Sequence, residues 1–449
     1  MTERPLSLVS RGLVTGALAL GLTACSGGLF GGGDKKTTPT IGDRQPILSR
    51  IESGAKVDPA LAGVAVSVPQ AQANTEWAQA GGTASKSYGN LALAETPTRA
   101  FSVNVAGANK ERRLAAAPVV GAGKLFAVGT DGQVTAFDAR TGARVWTYQA
   151  DLTSDLRPSA FGGGVSFDAG KLYGTDGAGN VYALNADTGA QLWKAKPGGP
   201  LRGAPTIAFD TIFVMTQDNQ LFALSAADGT ITWQESGSTT QAGVFGVAAP
   251  AAGQGTVVAG YTSGELVAYR YENGRNLWAD ALAQTSISTQ VGTLNDIDAD
   301  PIIDSGRVYA LGQGGRMAAY DLLSGQRIWE LSLAGISTPA VAGNWIFVLT
   351  DDARLLAIAR DTGKVRWLTQ LAQYRDEDDK KGPIFWRGPV LAGGQLWLVN
   401  SQGAVYRVSA GEGSASLFTD LKQPISLAPV VADNTLYVMD DSGRITAFR

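Results

Sequence analysis

The chain has no histidine and one cysteine, Cys25, in 449 residues. Without histidine there is no Ser-His-Asp triad, no HExxH zinc site, no Cys-His dyad and no histidine-ligated haem. With one cysteine there is no intramolecular disulfide and no cysteine-built metal site. Charge is sparse too: Asp, Glu, Lys and Arg make up 17% of residues and the formal net charge is −3. Such a balance provides no whole-protein field for nucleic acid. What abounds is glycine. The 57 glycines are about twice what an average usage near 7% would give, and with many Asx-Gly pairs they point to many tight turns and many short strands.

The N-terminus reads as an address. Arg4 and Arg11, with Glu3 among them, precede the apolar stretch GLVTGALALGL, which is too short to span a bilayer and fits the apolar region of a signal peptide. Leu22-Thr23-Ala24-Cys25 resembles the lipobox of bacterial lipoproteins, cut before a lipidated cysteine. Residues 1–24 are then a signal peptide, and multiple acyl chains on Cys25 would anchor the protein stably where one would not. Ser26 follows rather than the Asp that usually retains lipoproteins in the inner membrane, so the outer membrane is the expected destination. Residues 25–75 are rich in Gly, Thr, Pro and Ala and are expected to form a flexible tether.

The rest of the chain repeats. An apolar alternation, a turn with Gly and a strand closing on an aromatic recur, ending at Trp146, Trp193, Trp233, Trp278, Trp329, Trp367 and, in a degenerate copy, Phe418. The spacing runs from 38 to 51 residues. Two further strands precede each copy, as in RGAPTIAFD and TIFVMTQ, so one unit is four short antiparallel strands. That is the pattern of a β-propeller blade, whereas a solenoid needs parallel coils of shorter period. After Phe418 only three strands remain, and the spare strand TRAFSVNVAG (98–107) carries Phe101 where the others carry Trp. Paired beside GRITAFR it would close the ring and remove an open edge. The expected fold is therefore all-β, an eight-bladed propeller over 76–449 of four-stranded antiparallel blades, its last blade completed by an N-terminal strand.

The repeat resembles the pyrroloquinoline-quinone-type propeller repeat, in which the Trp of each outer strand packs on the neighbouring blade; NTEWAQAGG (74–82) also recurs in that superfamily. These Trp residues are expected in the core, not around a cofactor. A quinoprotein dehydrogenase is one reading of such a propeller, but it calls for a carboxylate-held calcium, an Asp base and usually adjacent cysteines. The cysteine pair is impossible here, and no convergent acid, Asn and Arg set is evident.

Beyond residue 74, and most specifically at NDIDADPIIDSGRVYALGQGGRMAAYDLLSGQRIWE (295–330), the chain resembles the BamB family, lipoproteins of the outer-membrane β-barrel assembly machinery. The resemblance implies a non-enzymatic scaffold without cofactor or metal, facing the periplasm. It would bind the periplasmic domains of the barrel-forming subunit BamA and assist folding and insertion of outer-membrane proteins. Other lipoproteins of the machinery are possible partners, and another kind of propeller lipoprotein of the envelope is the alternative.

The family's contact loops near blades three to five fall on Asp296 and Asp298, and on Ala242, Val244, Phe245 and Gly246. Phe245 stands where the family has a basic residue, so contact there would be more apolar. Paired carboxylates can meet Lys or Arg of a partner; on that reading, replacing both Asp residues by Ala would weaken binding and leave the melting temperature unchanged. The alternative is that both only cap turns. RDEDDKK (375–381) is expected to be a solvated loop, and Trp386 to pack inside blade seven.

Overall fold

The computed structural model describes residues 55–152, 162–238, 248–282 and 296–449. The signal segment, Cys25 and the tether up to residue 54 lie outside them, as do Ala242, Val244, Phe245 and Gly246. All described residues belong to the second of the chain's two units, Glu52–Arg449.

Eight four-stranded antiparallel sheets form the fold among the described residues. Blades 1 to 7 occupy 119–149, 165–195, 201–236, 251–281, 302–331, 340–370 and 386–420, each running from its innermost strand A to its outermost strand D. Blade 8 consists of Val430–Ala432, Thr435–Met439 and Arg444–Phe448, and its outer strand is Arg99–Asn104. That strand pairs antiparallel with Arg444–Phe448 through Phe101↔Ala447, Val103↔Ile445 and Asn104↔Arg444, so the ring closes as the strand count requires.

Burial follows from this layering. Middle strands such as Thr211–Thr216 are sandwiched between two neighbouring sheets and are buried almost throughout. Outer strands face solvent on one side and alternate, with Trp233 and Trp278 as the inward members of theirs.

The repeated aromatic and the repeated glycine form one device. Each Trp indole N–H donates to a carbonyl in the C–D turn of the next blade: Trp146 to Ala186 at 3.0 Å, Trp278 to Leu322 at 2.8 Å, Trp367 to Ala410 at 3.1 Å. The ring lies on that turn's glycine. Gly325 has φ +69°, and a Cβ there would sit 2.4 Å from Cγ of Trp278, so the position needs glycine for both backbone and space. At the seam Phe101 lies on Gly142 in the same way but has no N–H to give. The waiting carbonyl of Ala139 is taken by Arg449 Nη2 at 2.6 Å and by the Tyr437 hydroxyl at 3.1 Å.

The region expected to be tether up to residue 75 is laid against the propeller from residue 55 onward. Asp58 donates its N–H to the carbonyl of Val365 at 2.8 Å and pairs with Lys364 at 2.9 Å. From there the chain enters a strap that follows the A-strand edges round one mouth of the central channel. Asn74 meets blade 8, Trp77 blade 1, Ala78 blade 2, Gln79 blade 3, Ala84 blade 4, Ser85 blade 5 and Leu91 blade 7. The low-complexity composition that suggested a tether continues into this segment, but Trp77, Gln79, Lys86, Asn90 and Leu91 are buried. The sequence RDEDDKK is solvated as expected, its charges exposed, and forms the tip of a short hairpin in which Tyr374–Asp376 pairs with Lys381–Pro383. Trp386 is buried, its indole N–H on the carbonyl of Ala372 at 2.8 Å.

Candidate partner-binding face and the channel beneath it

The loops that join strand D of one blade to strand A of the next share a face with the B–C turns, opposite the strap. Among the described residues the segment 296–300, leading into Ile302–Asp304 of blade 5, is where Asp296 and Asp298 stand. Both carboxylates are largely withdrawn from solvent. Asp296 is 1% exposed and the side chain of Asp298 9%.

Both lie beside Arg202, on strand A of blade 3 and itself fully buried, at 3.7 Å and 3.5 Å. Arg202 Nη2 also donates to the carbonyl of Ile297 at 3.2 Å, so one guanidinium ties blade 3 to the entrance of blade 5. A register shift between Arg202 and Thr206 breaks the ladder of that strand at this point. Asp296 anchors the segment further, its carbonyl accepting the Gln313 N–H at 2.9 Å.

Arg202 lies beside both carboxylates and the charge of Arg387 also reaches Asp298, yet Asp298 remains under-compensated. Burial, aided by the Asp296 charge and opposed by Arg202, pushes the Asp298 carboxyl up to about 7. Deeper in, Asp300 accepts the Ala249 N–H at 2.8 Å and is also pushed up by burial, against the pull of Lys86. Lys86 is 0% exposed and donates to the carbonyl of Ala80 at 2.9 Å and to Thr206 Oγ1 at 3.1 Å. Burial brings its ammonium down to about 8.

Asp298 and Asp300 border a cavity of about 190 Å³ on the channel, walled also by the Ala-Pro entrances of the blades and by Arg387, with Trp77, Gln79 and Tyr88 of the strap in its wall. Ile336, Ser337, Arg387 and Ser426 also line a wider space of about 650 Å³, where Arg113 and Phe385 stand. Phe385 is 59% exposed. The two spaces make a funnel whose narrow part is walled partly by the strap.

The expectation of a freely presented Asp pair is corrected by this geometry. The two carboxylates are interior, and the expected indifference of the melting temperature to their loss no longer follows. They are not simple turn caps either, since their partner is a guanidinium from two blades away. Ala242, Val244 and Phe245 lie outside the described residues. Sequence reasoning missed Arg202, Asp300, Lys86 and Arg387. A signal for two of them was present: Arg-Gly directly before Pro or Ala-Pro occurs at Arg202-Gly203-Ala204-Pro205 and at Arg387-Gly388-Pro389, and both arginines project into the channel region.

The profile of the family described as outer membrane protein assembly factor BamB matches residues 81–160 and 131–369. The outer membrane protein assembly factor BamB of Yersinia pestis is 28% identical over 361 residues, covering 79% of this chain and 89% of the relative. That of Vibrio cholerae is 37% identical over 228 residues, 51% of this chain and 58% of the relative. The crystal structure of BamB from Moraxella catarrhalis superposes with a TM-score of 0.64 at 20% identity, covering 79% of this chain and 99% of that one. A quinohemoprotein alcohol dehydrogenase from Comamonas testosteroni superposes as well, TM-score 0.65 at 15% identity over 89% and 84% of the two chains. The propeller is common to both, which makes the fold silent on activity; the sequence profile, running through six of the eight blades and through the Asp296–Asp298 loop, is what separates them. This chain belongs to the BamB family of outer membrane protein assembly factors.

Proposed function

We propose that the protein is a non-enzymatic scaffold of the outer-membrane β-barrel assembly machinery, held at the outer membrane by lipid on Cys25 and facing the periplasm. Its partner on this reading is the periplasmic part of the barrel-forming subunit, BamA, and its task is to assist folding and insertion of outer-membrane proteins. The observation that carries the reading is the family match across 81–369 on a ring whose blades are locked by Trp-to-turn contacts. Binding in such a scaffold resides in the loops it holds still.

Asp296 and Asp298 enter this reading indirectly. With Arg202 they fix the course of the 296–300 segment, so they position the binding face from behind rather than touching the partner. The 242–246 segment, with Phe245, supplies the apolar contact.

The test is recovery of partners from solubilised outer membranes with a tagged full-length protein. A large barrel protein with repeated periplasmic domains should co-purify, and Cys25→Ser should move the protein to the soluble periplasmic fraction while leaving the propeller folded. Recovery of no barrel protein by the membrane-bound wild type overturns the scaffold reading; membrane retention of Cys25→Ser in cells lacking the partner overturns the anchor.

A further inference from the structure

Seven blades each donate one backbone N–H to the same short segment. Val120, Phe167, Ala252, Ile303, Gly393 and Asp433 give theirs to the carbonyls of Trp77, Ala78, Ala84, Ser85, Leu91 and Asn74 at 2.7–2.9 Å. Ile207 of blade 3 gives its own to Oε1 of Gln79 at 2.9 Å, and Gln79 Nε2 returns a bond to the Ile207 carbonyl at 2.9 Å. In chain order the acceptors visit blades 8, 1, 2, 3, 4, 5 and 7. The segment therefore travels once round the channel mouth.

We propose that residues 74–93 are a lock, a second closure of the ring that opens and shuts as one unit. It is independent of the pairing between Arg99–Asn104 and Arg444–Phe448. Three features join the seven contacts into one. The inner strands of blades 1, 4, 5, 6 and 8 are only three residues long, and at four of them, all but blade 6, the strap adds a backbone partner beside the strand. The middle of the strap is folded on itself: Trp77 packs on Tyr88 with ring centroids 4.9 Å apart and lies against Gly82, whose φ is +85°. The buried Lys86 ammonium bridges the strap's own Ala80 carbonyl and Thr206 of blade 3. Blades 1 to 5 are met between Trp77 and Ser85, inside the fold that the Trp77–Tyr88 contact and the Lys86 bridge close, so their contacts are joined through it, and Asn74 and Leu91 extend from its two ends to blades 8 and 7. When it is shut, Trp77, Gln79 and Tyr88 wall the channel at that end; opening withdraws that wall.

Amide exchange tests this on the full chain. If the strap is one unit, the seven donated amides share a common protection in the wild type, since each is exposed by the same opening. Gln79→Ala removes the side chain that meets Ile207 and touches no other blade. It should speed exchange of the six remaining amides by a common factor of tenfold or more, while outer strands such as Asn276–Ala281 keep their protection. Trp77→Ala should give the same pattern with a larger factor; if that variant does not fold, Gln79→Ala decides alone. Acceleration confined to blade 3, or protection that differs from blade to blade in the wild type, overturns the lock and leaves seven separate contacts.

Discussion

Replacing Asp298 by Asn should change how stability depends on pH, in a direction fixed by the structure. The Asp298 carboxyl rises to about 7 in the fold, first through burial and then through Asp296, with Arg202 opposing. An unfolded Asp titrates near about 4. A carboxyl whose pKa is raised by folding takes up a proton as the chain folds, so its effect on stability is neutral below the unfolded value. Stability is then lost as pH rises from about 4 to 7, and the loss is complete above that. Three pKa units correspond to about 4 kcal/mol, an upper limit because water reaching Asp298 from the funnel lowers the penalty. Asn keeps the shape and removes the charge, leaving Arg202 to Asp296 alone. Denaturant unfolding of wild type and Asp298→Asn from pH 4 to 8 should show the two nearly equal at pH 4 and the variant ahead by 1–4 kcal/mol (about that range) at pH 8. Asp300 is raised in the same direction, so wild-type stability alone is not the readout; the difference between the two proteins is. A variant less stable at pH 8 than at pH 4, relative to wild type, would refute the claim that Asp298 is under-compensated. Arg202→Met is the converse. It removes the guanidinium that lies beside both buried carboxylates and should cost about 3–5 kcal/mol at pH 8.

The blade contacts and the seam give two more measurements. Trp278→Phe keeps the ring on Gly325 but loses the N–H to Leu322, for about 1 kcal/mol, whereas Trp278→Ala empties the contact for about 3–5 kcal/mol; equal losses in denaturant unfolding would show that the hydrogen bond and not the ring holds the blades. Arg449→Ala leaves the Ala139 carbonyl to Tyr437 alone and removes the guanidinium 5.8 Å from the Phe101 ring. It should lower stability by about 1–2 kcal/mol, and an unchanged midpoint would show that the seam does not need it.

The ring was legible because its determinants are local and repeated. Turn glycine, outer-strand Trp and paired apolar strands recur within each blade, and the leftover strand at 98–107 has one place to go. What could not be read was everything that crosses the ring. The strap illustrates this: its residues are small and polar by composition, like a linker, and its bonds are mainly from backbone carbonyls to edges that exist only once eight blades are assembled. A backbone acceptor carries no side-chain signature. Trp77 and Tyr88, the aromatics of the stretch, and the recurrence of NTEWAQAGG hinted that this part of the chain is packed.

The Asp pair shows the same limit from the other side. Asp-apolar-Asp before Pro looks the same whether the carboxylates face a partner or the interior, because the deciding group, Arg202, lies 94 and 96 positions away in sequence and on another blade. What chain order separates, the ring brings to 3.5–3.7 Å. The Arg-Gly before Ala-Pro at 202–205 was the available clue, since a charged residue at the channel entrance of a blade has no exposed surface to serve and must find an opposite charge inside. Two carboxylates and one guanidinium then follow as a set. Their shared burial explains how the 296–300 segment is held in place from inside the ring.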